Sequence, residues 1–209
     1  MSEVIEHLKV YRNFISEEER QDLKNHASNL FDRKLFRPEG WYTQQKQLSE
    51  PTRFRFRLHP YCTSTWHPTI DVVAKRIIKT LGVKEYYVDP YYGFLLHYML
   101  PGSEIQVHCD RYFAEDVGEY MVNHCAHVRF NVMINRDKSN TYSPHISPDF
   151  DPDPSKSGVP KDKELKYVNP LVNQRDAWAF PASKYPHGTP VLIGSEPRIV
   201  YQFGFAIPK

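Results

Sequence analysis

From about residue 85 to the C-terminus the sequence is a succession of short β-rich segments: EYYVDPYYGFLLHYML, EIQVHCD, AHVRFNVMIN, DAWAFPA, TPVLI and PRIVYQFGFAI. Turn residues separate them, and no helical period intervenes. Strands that follow one another without helices between them pair antiparallel. The expected fold is therefore a mainly β sandwich or jelly roll, and a doubly wound parallel sheet is disfavoured. Two helices are predicted ahead of this region. Ser16 and Glu19 form a capping box, and Leu23, Ala27, Leu30 and Phe31 then share one face of a helix over about 17–31. A second helix opens near Pro68, carries Ile70, Val73, Ala74, Ile77 and Leu81 on one face, and ends at Gly82. Each has one apolar side and reads as a buttress. The chain is expected to be a single domain over 1–209, helical up to about residue 84 and β-rich beyond it.

The composition agrees. A 14% aromatic share and 17 prolines suit a loop-rich β protein, and 40% hydrophobic residues argue against disorder as the dominant state. Residues 138–170 stand apart, being polar and dense in Pro, Asp and Ser. They read either as a passive surface loop or as a lid beside a site. A net charge of +2 gives no reason to expect a nucleic-acid or membrane partner. Cys62, Cys109 and Cys125 are odd in number and widely spaced, which fits neither a disulfide framework nor a zinc knuckle. The acidic N-terminus MSEVIEHLKVYRNF does not read as a signal peptide, and no apolar run is long enough to span a membrane. A cytoplasmic protein is expected.

The residues that carry chemistry lie in the β region. His108 and Asp110 are two apart in a strand-like run, so both project from one face while Cys109 projects from the other. Alone, a His-x-Asp is more often a hydrogen-bonded pair than a metal site. A second histidine would complete a facial triad of two histidines and one carboxylate, which leaves three positions of an octahedral Fe(II) open. His187, in the turn KYPHGTP, is the best candidate. Arg198 follows eleven residues later on a strand, and a guanidinium fork there can take a carboxylate through two hydrogen bonds.

These residues resemble the 2-oxoglutarate/Fe(II) oxygenase superfamily, in particular its prolyl-4-hydroxylase-like branch. YRNFISEEERQDL is similar to the opening strand and helix of that branch, and HYMLPGSEIQVHCD to its metal-binding strand. VRFNVMIN resembles the next core strand, and DAWAFPASKYPHGTPVLIGSEPRIVYQFGF resembles the closing pair. The resemblance implies a double-stranded β-helix, a cupin-like jelly roll, with the N-terminal helices packed on its major sheet. It implies Fe(II) held by His108, Asp110 and His187, and 2-oxoglutarate as co-substrate with its distal carboxylate on Arg198. Tyr98 would line the co-substrate pocket, and dioxygen would be consumed in hydroxylating an unactivated C–H bond. The chain departs from the branch in lacking its Gly-Gly strand and in having Arg175-Asp176 where a Gly-Asp turn is usual. Both departures fall where such enzymes hold the primary substrate.

Arg129 and Asn131 share one face of VRFNVMIN, opposite Phe130, Val132 and Ile134. If the apolar set packs on the helices, the polar pair points inward, toward a substrate or into an internal ion pair with an acidic residue. His97, His124 and His127 read as core or surface histidines, Cys109 as a packing residue, and the tyrosines at 86–92 as sheet core. The expected substrate is a free amino acid or small metabolite, with a peptidyl proline as the alternative. A nucleic-acid demethylase of the same superfamily usually carries a second arginine six residues after the first, where this chain has Gly204. A non-catalytic metal-binding cupin-like module would not need Arg198. A halogenase would need the coordination position that Asp110 fills.

Overall fold

The structure is a computed structural model, and it describes residues 8–39, 51–140, 145–147 and 168–209. Strand β1 (Lys9–Tyr11) leads into helix α1 (Glu17–Asp32), followed by β2 (Arg37–Pro38), β3 (Arg53–Arg57) and helix α2 (Pro68–Leu81). Then come β4 (Tyr87–Val88), β5 (Phe94–Met99), β6 (Ile105–His108) and the short helices α3 (Ala114–Val117) and α4 (Glu119–His124). The chain continues through β7 (Cys125–Asn135), β8 (His145–Ile146), β9 (Ala177–Pro181) and β10 (His187–Thr189), and closes on β11 (Arg198–Pro208). All described pairings are antiparallel. The major sheet runs β1-β9-β7-β11-β5-β3-β2, with β4 also on β11, and the minor sheet runs β6-β10-β8. The architecture is the expected jelly roll.

The capping box forms: the Ser16 hydroxyl accepts from the Glu19 amide, and the Glu19 carboxylate accepts from the Ser16 amide. Helix α2 begins with Pro68 in its first turn and ends at Gly82, whose φ of 65° is left-handed. Leu23, Ala27, Leu30, Ile70, Val73 and Ile77 bury their side chains on one face of the major sheet. Period-2 alternation supplies the other half of this core, with Phe130, Val132 and Ile134 from β7 and Ile199, Tyr201, Phe203 and Phe205 from β11. The opposite side chains of the same strands point between the two sheets, and that is where the site lies.

Several local expectations needed revision. EYYVDPYYGFLLHYML is not one strand, because the chain turns at Asp89-Pro90, where Asp89 accepts from the amides of Tyr91 and Tyr92. TPVLI is not a strand: pairing stops at Thr189, before Pro190, which has no N–H to donate, and Val191 and Ile193 are exposed. The two short helices at 114–124 were not expected. Arg175, at the place of the usual glycine, adopts the left-handed conformation itself, with φ of 73°, and its Nε donates to the Ile15 carbonyl. Of the suspected lid at 138–170, residues 141–144 and 148–167 lie outside the described residues. Within it, however, His145 and Ile146 form a strand that extends the minor sheet beside Gly188 and His187. No described helix is long and apolar enough to cross a membrane.

Candidate metal centre

His108 and His187 come together because β6 and β10 place them directly opposite each other, which puts both rings on one face. Their ring centroids are 4.5 Å apart. Asp110, just past the end of β6, joins them, with Oδ1 3.7 Å from His108 Nε2 and 4.0 Å from His187 Nε2. One ligand atom from each of the three lies within 4.8 Å of the others. Backbone carbonyls fix the tautomers. His108 Nδ1 donates to Gln106 O at 2.8 Å and His187 Nδ1 to Tyr185 O at 2.9 Å, so each Nε2 presents a lone pair. Two nitrogen lone pairs and a carboxylate oxygen thus converge, an arrangement that suits a divalent cation between them. Burial first, and then the neighbouring His108, pushes the His187 pKa down to about 4, so the imidazole is neutral and able to ligate.

Behind the triad a well runs between the sheets, lined by Leu95, His97, Asn131, Trp178, Arg198 and Gln202 among others. Arg198 is only 6% exposed. Its described contacts are Nη1 to the Met99 sulfur at 3.4 Å and the Trp178 ring at 5.8 Å. No carboxylate pairs with it among the described residues. Burial, and then the nearby Arg53, lower its pKa to about 10, which still leaves it charged at neutral pH. A buried cation without a counter-anion is costly, so the well suits a ligand that brings a carboxylate.

Tyr98, expected in the co-substrate pocket, faces the other way. Alternation along β5 sends Phe94, Leu96 and Tyr98 to the helices, where Tyr98 stacks on Phe31 at 4.1 Å, and it leaves Leu95 and His97 in the well. Burial, followed by the charges of Arg53, Arg55 and Arg198, lowers the His97 pKa, so its ring is a neutral part of the wall. Arg129 and Asn131 point inward as expected, and both line the well. The Arg129 guanidinium is engaged by two carboxylates: Nη1 is 3.0 Å from Asp89 Oδ2, and Nη2 is 2.7 Å from Asp110 Oδ2. The second contact is an ion pair rather than a well-directed hydrogen bond. His127 is buried against Asp89 and His124 is exposed, so neither enters the site.

Two groups were not foreseen. Arg53 and Arg55 of β3 line the well and share Glu39, each with Nε 2.7 Å from one of its oxygens. The alternating RFRFR could have shown them, since Phe54 and Phe56 pack toward the helices and the arginines must then face inward. The Asp89 cluster with Tyr112, His127 and Arg129 had no local signal. Outside the triad a cleft of about 620 Å³ is lined by Tyr91, Tyr92, Arg111 and Phe113, together with Arg53, Arg55, Ile105 and His108, which border the well as well. Cys109, expected to pack on the outer face, lines this cleft instead, and burial raises its thiol pKa to about 11.

No protein-family model and no curated protein matches the sequence. Solved structures do match in fold. A prolyl-4-hydroxylase from Pseudomonas putida superposes with a TM-score of 0.56 at 12% identity, covering 98% of this chain and 94% of that one. HygX from Streptomyces hygroscopicus, solved with nickel and 2-oxoglutarate bound, gives 0.62 at 14% identity over 97% of this chain and 83% of its own. The non-heme α-ketoglutarate-dependent epimerase SnoN from nogalamycin biosynthesis gives 0.65 at 11% identity over 97% and 77%. The chain therefore has the jelly-roll fold of the 2-oxoglutarate/Fe(II) oxygenases.

Proposed function

We propose that the protein uses this fold as an Fe(II)- and 2-oxoglutarate-dependent oxygenase that hydroxylates an unactivated C–H bond of a free amino acid or other small metabolite. The observation that carries this reading is Arg198, a buried guanidinium without a carboxylate partner among the described residues, in the well behind a convergent His-Asp-His triad. A dicarboxylate ligated at one end and paired with Arg198 at the other would satisfy both. His108, Asp110 and His187 would hold the metal, and Arg198 the distal carboxylate. Bound iron, with 2-oxoglutarate and dioxygen, supplies an oxidising power that no side chain has.

The chain's own part is binding, orientation and exclusion of water. The His108 and His187 carbonyl contacts keep both Nε2 atoms unprotonated and aimed inward. Leu95, Phe180 and Val200 give the well apolar walls. The outer cleft meets the well along His108 and Tyr92, so a substrate seated there would present its C–H bond beside the metal. Its volume of about 620 Å³ falls within the range of roughly 300–1,000 Å³ usual for small-molecule pockets, which supports a small substrate. Three free cysteines support a reducing, cytoplasmic setting. Nucleic-acid demethylation is disfavoured by Gly204. A Cβ there would lie 2.2 Å from the Tyr92 carbonyl oxygen, so no arginine fits at that position.

The test is anaerobic titration of Fe(II)-loaded protein with 2-oxoglutarate, following the charge-transfer absorbance. Succinate release is then measured over a panel of free amino acids and proline-rich peptides. Metal-loaded protein that binds no 2-oxoglutarate refutes the reading. Release stimulated by peptides alone moves the substrate to peptidyl proline.

A further inference from the structure

Arg129 is 1% exposed and is among the largest fully buried side chains. In the ladder it stands opposite Gly204, where an added Cβ would come within 2.9 Å of Arg129 Nη1, so the missing side chain leaves room for the guanidinium. The Tyr92 ring lies over the guanidinium at 4.3 Å, and Nη2 donates to Tyr112 Oη at 2.5 Å. Asp89 balances the charge. Burial alone would raise the Asp89 pKa, but His127, Arg129 and Tyr112 overcome it and hold the carboxyl below its ordinary range. Arg129 is thus fixed by groups that have no part in ligating a metal.

From this fixed position the Arg129 guanidinium makes its contact with Asp110 through the Oδ2 oxygen. Nη2 lies 2.7 Å from Oδ2, while Oδ1 faces the two histidine Nε2 atoms. A carboxylate free to turn could offer both oxygens to a metal and fill a position that an incoming chelating ligand needs. A neighbouring cation also draws electron density from the carboxylate, so the ligand donates less strongly.

Resting on the oxygenase reading, we propose that Arg129 is a positioning residue. It holds Asp110 to one-oxygen ligation and so keeps a coordination position open for 2-oxoglutarate. The role of Arg129 is then neither substrate binding nor that of a purely structural ion pair.

Arg129→Met tests this, because Asp89 would keep Tyr112, His127 and the amides of Tyr91 and Tyr92 as partners. Arg129→Lys keeps the buried charge as a folding control. Metal affinity is measured with Mn(II) against a chromophoric chelator, and 2-oxoglutarate affinity by anaerobic titration of the Fe(II) protein. Arg129→Met is expected to bind metal as tightly as wild type or more tightly, while binding 2-oxoglutarate about tenfold or more weakly. Arg129→Lys should fall between, since an ammonium cannot fork between Asp89 and Asp110. Disturbing the surroundings of a ligand ordinarily lowers metal affinity, by roughly 10- to 100-fold. Joint loss of metal and 2-oxoglutarate binding, or unchanged 2-oxoglutarate affinity in Arg129→Met, therefore overturns the inference. A wild type that binds metal but no 2-oxoglutarate overturns the oxygenase reading, and the inference with it.

Discussion

Arg198 shows how burial turns one side chain into a specific demand for a ligand. Among the described residues its desolvated charge touches only a methionine sulfur and an indole ring, so under the proposed oxygenase reading its removal should cost co-substrate binding and little else. Hydrogen bonds to charged groups contribute roughly 1.5–3 kcal/mol, and a tenfold change in affinity corresponds to about 1.4 kcal/mol. Arg198→Ala is accordingly expected to weaken 2-oxoglutarate binding at least about tenfold in anaerobic titrations while metal affinity stays near wild type. Arg198→Lys should recover only part of the loss, because a point charge does not reproduce the planar fork. At Gly204 the constraint is space. An added Cβ would sit 2.2 Å from the Tyr92 carbonyl oxygen, a backbone atom that can yield only if the strand shifts. Gly204→Ala should destabilise the protein by about 1–3 kcal/mol, read as a lower midpoint in thermal or denaturant unfolding.

Among the elements, helix α1 is tied to the sheet by its apolar face and also through His26, which contacts Tyr201 Oη at 2.7 Å and the Thr65 carbonyl at 3.1 Å. Burial, and then His67, push the His26 pKa down to about 4 from 6.5, so the folded state prefers the neutral ring. Below pH 6.5 the unfolded chain takes up a proton that the folded chain resists. Stability from this contact is therefore present above about pH 6.5 and declines as pH falls toward 4. Replacing His26 with Gln should flatten the fall in unfolding free energy across that window, as measured by denaturant titrations at several pH values. An unchanged slope would remove His26 as its source. The same helix begins at the Ser16 capping box, and Ser16→Ala should cost about 1 kcal/mol.

The whole molecule separates what holds the fold from what holds the site. The helix-packed face of the major sheet forms the larger buried cluster, and the triad lies on the other side, between the sheets. Metal removal should therefore lower the melting temperature without unfolding the chain. Divalent metal should raise it in a concentration-dependent way, by linkage to the folded state alone. His108→Ala and His187→Ala should abolish that metal-dependent rise while leaving the metal-free melting temperature close to that of wild type. A variant that still responds to metal would place the ion elsewhere.

Local periodicity was enough to say which way most side chains face. The 3.6-residue pattern set the apolar faces of α1 and α2, and the two-residue pattern put Phe130 and Ile134 on one face of their strand and Arg129 and Asn131 on the other, which the structure turns inward. The same rule at RFRFR would have placed Arg53 and Arg55, and at β5 it sends His97 inward and Tyr98 outward once the inner face of that strand is known. Only the tertiary structure decided the partners. Asp89 meets Arg129, and Glu39 meets Arg53 and Arg55, through strand neighbours and turns that carry no mark at either residue. Which face a side chain takes depends on residues two to four positions away along the chain. Which charge it meets depends on the order of strands across the sheet, and that order is fixed by packing the whole chain at once.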